Sequence, residues 1–157
     1  SNSNHVAYRG GVSRWCGNCH GDYLTSRHQV IDFRHSTDTT LKNGHVSTFN
    51  QYNGTLDPTG GNAATAYLAA VPYEDASMTV NTTSGPTTVS RLTCLTCHRA
   101  HGSSGPHAGR WDFNVDHLGD DGVVSGSYPI PNPYNDPGQD KLCFKCHKNL
   151  PGPAIAP

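Results

Sequence analysis

Apolar residues are scarce in this chain: 34% of its 157 residues are hydrophobic and 8% are aromatic. A side-chain core drawn from that supply is thin, while ordering the backbone costs about 1–2 kcal/mol per residue. Charge is scarce as well, at 15% of residues with a formal net charge of -1. Disordered chains usually carry more charge than this. Without a basic excess there is nothing to neutralise a phosphate backbone, which argues against nucleic acid as a partner. No apolar run approaches the ~20 residues needed to span a bilayer. Methionine is represented once, by Met78. The chain starts at Ser1 rather than Met, as expected of a chain whose leader has been removed or of plain trimming. Turn formers, by contrast, are plentiful: 17 Gly and 11 Pro stand well above the usual combined share of about 12%. The length fits one domain, and a large apolar cofactor is the remaining way to give such a domain a core.

The six cysteines identify that cofactor. They form three pairs, Cys16/Cys19, Cys94/Cys97 and Cys143/Cys146, and each pair is followed at once by a histidine, His20, His98 or His147. C-x-x-C-H is the attachment signature of c-type haem. Two thiols at this spacing add to the two vinyl groups on one porphyrin edge, and the next residue turns its imidazole to the iron. The rivals explain less. A disulfide framework does not ask for histidine after every second cysteine. Zinc takes four ligands, so three pairs leave one over. A thioredoxin-like motif would occur once, near a βαβ pattern. Three covalently attached haem c groups account for every cysteine and leave none for a disulfide or a catalytic thiol.

Each iron has a sixth position, usually filled by Met or His. One methionine cannot serve three haems. Of the ten histidines, three are used as proximal ligands, and His5, His28, His35, His45, His101, His107 and His117 remain. Bis-His ligation is therefore the economical reading, with one iron left open for a small substrate as the alternative. His101 follows His98 by three residues, so its ring lies near one haem but projects elsewhere, and it suits ligation of a neighbouring haem. His28 and His35 are hard to separate on chemistry alone. His5 lies in an N-terminal arm able to reach another subunit. His45, His107 and His117 stand in Gly-rich or polar stretches and rank lower.

The stretch from Leu92 to Ser104, LTCLTCHRAHGSS, followed by Lys141–His147, KLCFKCH, is similar to multihaem cytochromes with repeated C-x-x-C-H. Trp15–Tyr23, WCGNCHGDY, followed by Phe33–Asp38, FRHSTD, resembles the secreted multihaem cytochromes of metal-reducing bacteria. Some members of that group polymerise into extracellular filaments. The resemblance is weakest between Asn43 and Ser90. It implies that His35 is a distal ligand, with Ser36 where the family usually has Pro, and that His101 is another. It also implies that His5 is a candidate to ligate a haem of a neighbouring copy.

The expected architecture is mostly irregular coil with a few short helices and a haem-built core, in a single triheme domain over 1–157 with a haem-free insert at 41–90. Short helical turns are expected at each C-x-x-C-H. A short helix is expected over Ala63–Ala70, ended by Pro72. A small β-hairpin is expected from Ser77–Thr83 and Thr87–Leu92 around Ser84–Pro86. The expected role is electron transfer rather than enzymatic catalysis. The chain is read as a subunit of an extracellular or cell-surface filament whose partners are other copies of itself and redox proteins or extracellular acceptors. A monomeric periplasmic or surface shuttle is the alternative, and an enzyme with one open haem comes third. Covalent haem attachment outside the cytoplasmic membrane sets the location.

Overall fold

The computed structural model describes residues 8–20, 37–54, 60–78, 82–103, 105–123, 126, 129–134, 138 and 140–148. Among these residues, three short α-helices, α1 (Val12–Gly17), α2 (Asn43–Gln51) and α3 (Cys94–Cys97), are accompanied by irregular chain and by 3₁₀ turns at Ala63–Thr65, Pro106–Ala108, Leu118–Asp120 and Leu142–Lys145. Among the described residues, β-pairing is confined to isolated bridges such as Thr40 with Arg91 and Glu74 with Arg91. No helix there is long and apolar enough to cross a membrane.

None of these helices would persist alone, since isolated helices under ~12–15 residues are marginal in water. Distant side chains hold them. Helix α1 begins at Gly11, in the left-handed region at φ 82, with no side-chain cap of its own. The cap comes instead from the fully buried Glu74. Its carboxylate accepts the Gly11, Val12 and Ser13 N–H groups at 3.2, 3.0 and 3.3 Å. Buried Ser13 then ties α1 to α3: its hydroxyl meets Thr93 Oγ1 at 3.4 Å and accepts the Cys94 N–H at 3.2 Å. Glu74→Ala would strand those donors, and a loss of about 2–3 kcal/mol is expected, read from the denaturant midpoint of the haem-loaded protein. An unchanged midpoint would mean that the helix start finds other acceptors.

Outside this junction, Asp38 joins Arg14 at 2.7 Å and Arg91 at 2.9 Å. The Arg14 hydrogen bond, more than burial opposes it, holds the Asp38 carboxyl below its ordinary range.

Helix α2 is made of poor helix formers, with Asn, Gly, His, Val, Ser and Thr in a row. Packing overrides propensity here. Phe49 is buried in a cluster with Ala66, Val71, Tyr73, Trp111, Leu118 and Leu142, and the Thr48 hydroxyl donates to the Gly44 carbonyl at 2.9 Å. Cys97, Cys143 and Cys146 border this cluster, so the attachment cysteines of two motifs form part of the core wall.

The structure corrects the expected hairpin. Among the described residues its two arms do not pair with each other; their backbone groups find other partners, as buried peptide groups must. Thr83 accepts the Tyr67 N–H, Gly85 donates to Ala63, and Arg91 exchanges hydrogen bonds with Glu74 while Leu92 donates to Thr39. Asp75 reinforces this by accepting from the Ser77 and Ser90 hydroxyls. The expected helix at Ala63–Ala70 shortens to the 3₁₀ turn Ala63–Thr65, begun by Asn62, whose side chain accepts the Ala64 N–H. Helical turns do form at all three motifs, but α1 ends in its motif rather than starting there.

Candidate functional site

The same turn closes each C-x-x-C-H. The histidine N–H donates to the carbonyl of the first cysteine four residues back: His20 to Cys16 at 2.9 Å, His98 to Cys94 at 3.1 Å and His147 to Cys143 at 3.1 Å. Cysteines three apart on such a turn share a face, as attachment to one porphyrin edge requires. No disulfide joins any of the six cysteines, and among the described residues no cluster of three or more His, Cys, Asp or Glu stands ready to hold a metal ion by itself.

The motifs also succeed one another in space. Cys16 lies against Cys94, burial and that neighbour together pushing its thiol up. Cys97 lies near Cys143 and Cys146 and is pushed up to about 12, mostly by burial. Burial likewise pushes Cys146 up to about 12. Such sites disfavour thiolate and suit neutral sulfur, as in a thioether link to haem better than in a zinc site.

Two pairs of imidazoles face one another. The His20 and His101 ring centroids are 6.2 Å apart, and those of His45 and His147 are 5.6 Å apart. Two metal–imidazole bonds of about 2 Å each plus two ring radii give roughly 6 Å, so both spacings fit an iron held between the rings. The second pair lines a cleft of about 430 Å³ between α2 and the third motif, with Gly44, Ser47, Thr48, Cys146 and Lys148 around it. Burial, and then the neighbouring His45, hold His147 below its ordinary value, which favours the neutral ring that metals bind.

His101 owes its position to a pinned loop. Arg99 donates to Ala108, Arg110 donates to Cys97 at 2.8 Å, and the Ser103 hydroxyl donates to Gly109 at 2.6 Å. His101 and His107 both adopt positive φ, 51 and 56, a local strain of the kind that surrounding structure must hold in place. The loop returns the His107 carbonyl to within 2.8 Å of His98 Nδ1. That contact orients the His98 imidazole and leaves its Nε2 as the nitrogen able to bind a metal.

Of the other expected site residues, Cys16, Cys19, Cys94, Cys97, Cys143, Cys146, His20, His98, His101 and His147 all sit on these turns and loops, whereas His5, His28 and His35 lie outside the described residues. His117 meets Asp140 at 3.4 Å on a half-exposed surface. His45, ranked low from sequence, stands on α2 facing the third motif. The signal for it was present: His45 and Phe49 are four apart, on one face of any helix drawn through that stretch.

No protein-family profile matches the chain. A curated relative, the C-type cytochrome OmcS of Geobacter sulfurreducens, is 36% identical over 111 residues, covering 62% of this chain and 25% of its own. Among solved structures, the OmcS nanowires from Geobacter sulfurreducens match at a TM-score of 0.70 and 25% identity, covering 94% of this chain and 44% of theirs. The Outer Membrane Cytochrome S filament from the same organism matches equally well, TM-score 0.70 and 25% identity, over 96% of this chain and 45% of its own. The chain thus spans a quarter of the curated relative and under half of the solved chains. Its three C-x-x-C-H turns sit on a backbone similar to that of OmcS, a c-type cytochrome whose solved structures are nanowires and filaments.

Proposed function

We propose that this chain transfers electrons through three bis-His c-type haems, as a non-enzymatic subunit of an extracellular or cell-surface filament of its own copies. The observation that carries the reading is the triple repeat of one C-x-x-C-H turn, two of whose histidines face a second imidazole across an iron-sized gap. The haem supplies reversible one-electron chemistry; the chain fixes where it happens. Cys16 and Cys19, Cys94 and Cys97, and Cys143 and Cys146 would tether the three groups. His20 with His101 and His147 with His45 would hold two of the irons. His98, its ring held by the His107 carbonyl, would hold the third.

The partner of His98 is His35 of the same chain or, in a filament, His5 of a neighbouring copy. The local backbone favours His35. Asp38 donates to Leu92 and Leu92 to Thr39, so the residues just after His35 are pinned beside those just before Cys94. The stretch 41–90, which has no attachment motif, would then contribute His45 to the domain spanning 1–157. The sulfur neighbours Cys16–Cys94 and Cys97–Cys143 support a series in which the second haem would lie between the other two, along which electrons would pass to redox proteins or an extracellular acceptor.

Two measurements on the native protein test this. The intact mass is expected to exceed that of the polypeptide by three haems, with wholly low-spin spectra. Electron microscopy is expected to show uniform fibres. A mass increment of two haems or fewer would sink the triheme reading. Discrete particles at every concentration would replace the filament with the monomeric shuttle.

A further inference from the structure

Lys145 lies inside the third attachment motif, between Cys143 and Cys146, and is 1% exposed. Lysine at such depth normally has a carboxylate partner, because an unpaired buried charge is costly. The described residues give this one none. Its Nζ donates to the Tyr52 carbonyl at 3.1 Å and stands 4.5 Å from the centre of the Phe49 ring and 5.8 Å from those of Tyr52 and Tyr134. This is a cation–π cage with one carbonyl. Tyr134 closes it by packing against Gly54, where φ is +82 and any Cβ would collide with the tyrosine ring. The carbonyl and the three ring faces together stabilise the ammonium form. The two spacer residues of the first motif are Gly17 and Asn18, and those of the second are Leu95 and Thr96. The third is thus the motif with a charged spacer residue, while at the second turn the Arg110 side chain donates to the Leu95 carbonyl.

An oxidised haem carries one more positive charge than a reduced one. A nearby cation opposes that extra charge, and it does so strongly where burial keeps water from screening it. We propose that the Lys145 ammonium raises the potential of the haem tethered by Cys143 and Cys146, so that this haem holds an electron more firmly than its ligands alone would make it. The proposal rests on the triheme reading above. It explains why the cage is worth its desolvation cost, which a similarly shaped apolar side chain would avoid.

The test uses the haem-loaded protein, with the three haems followed separately through their methyl resonances in a redox titration by NMR. Lys145→Met removes the charge and keeps the shape. The expected result is a lower midpoint for the third haem, with the first two unmoved and thermal stability kept or raised. Lys145→Arg, which keeps the charge, is expected to retain a high third midpoint. Lys148→Met removes an exposed charge next to the same histidine, and water should screen it to no resolved effect. Unchanged midpoints in Lys145→Met would overturn the proposal, as would equal shifts from Lys145→Met and Lys148→Met. Loss of stability without a shift would reduce Lys145 to a packing residue. Failure of the triheme reading would show separately, as missing methyl resonances or a high-spin haem in the unmutated protein.

Discussion

His45→Ala is expected to leave one haem of the three five-coordinate and high-spin, open to carbon monoxide or cyanide, while the other two stay low-spin. His45 is the imidazole that faces His147, 5.6 Å away, across a cleft that no other described histidine lines. Helix α2 holds it there through Phe49 in the core and through Lys145 bound to the Tyr52 carbonyl beyond the helix end. An alanine at 45 removes the ligand and leaves these supports in place. His45→Met should restore a six-coordinate iron but raise its potential, since a thioether favours the reduced state more than imidazole does. The readout is the visible spectrum with and without carbon monoxide, together with the midpoint of the third haem. Three low-spin haems in His45→Ala, none binding carbon monoxide, would show that another histidine closes this site.

A chain prepared without haem is expected to be unfolded, with a coil-like circular dichroism spectrum and no cooperative thermal transition. The reason lies in how its elements are held. Helix α1 is capped by a residue more than sixty positions away, α2 is built from residues with little helical preference, and α3 is a single turn. Cys97, Cys143 and Cys146 line the apolar cluster, so the tethered groups would complete it. Ligation by residues far apart in sequence, His20 with His101 and His45 with His147, would close long loops that no disulfide closes. Binding of this kind is itself folding free energy. A cooperative, native-like transition in the haem-free chain would show that the side chains suffice.

The three C-x-x-C-H turns were legible in the sequence because their geometry is local, five residues closed by one hydrogen bond. The approach of His101 to His20 rests on a loop that begins only three residues earlier, at His98. The approach of His45 to His147 was not legible, because it depends on α2, and α2 exists only through Phe49 and its distant neighbours. The expected hairpin failed for a related reason. Residues 77–92 have the right composition for strands, but nothing in that stretch reveals that Ala63, Tyr67, Glu74 and Thr39 would take up its hydrogen bonds. In a chain so rich in turns, backbone pairing is decided by what folds alongside, and local pattern carries little of that information.

The loop between His98 and His101 has a consequence for biosynthesis. A chain that emerges N-terminus first presents His20 long before His101, and His45 long before His147. The first haem to be tethered would wait with one axial face bare until the second motif had emerged. The third would meet a distal histidine already delivered. Maturation would then finish in two steps. Emergence of residues 98–101 would seat the second haem and complete the first, and emergence of Cys143–His147 would lock α2 into place. Premature termination between those points would yield a chain with two haems and an unanchored α2.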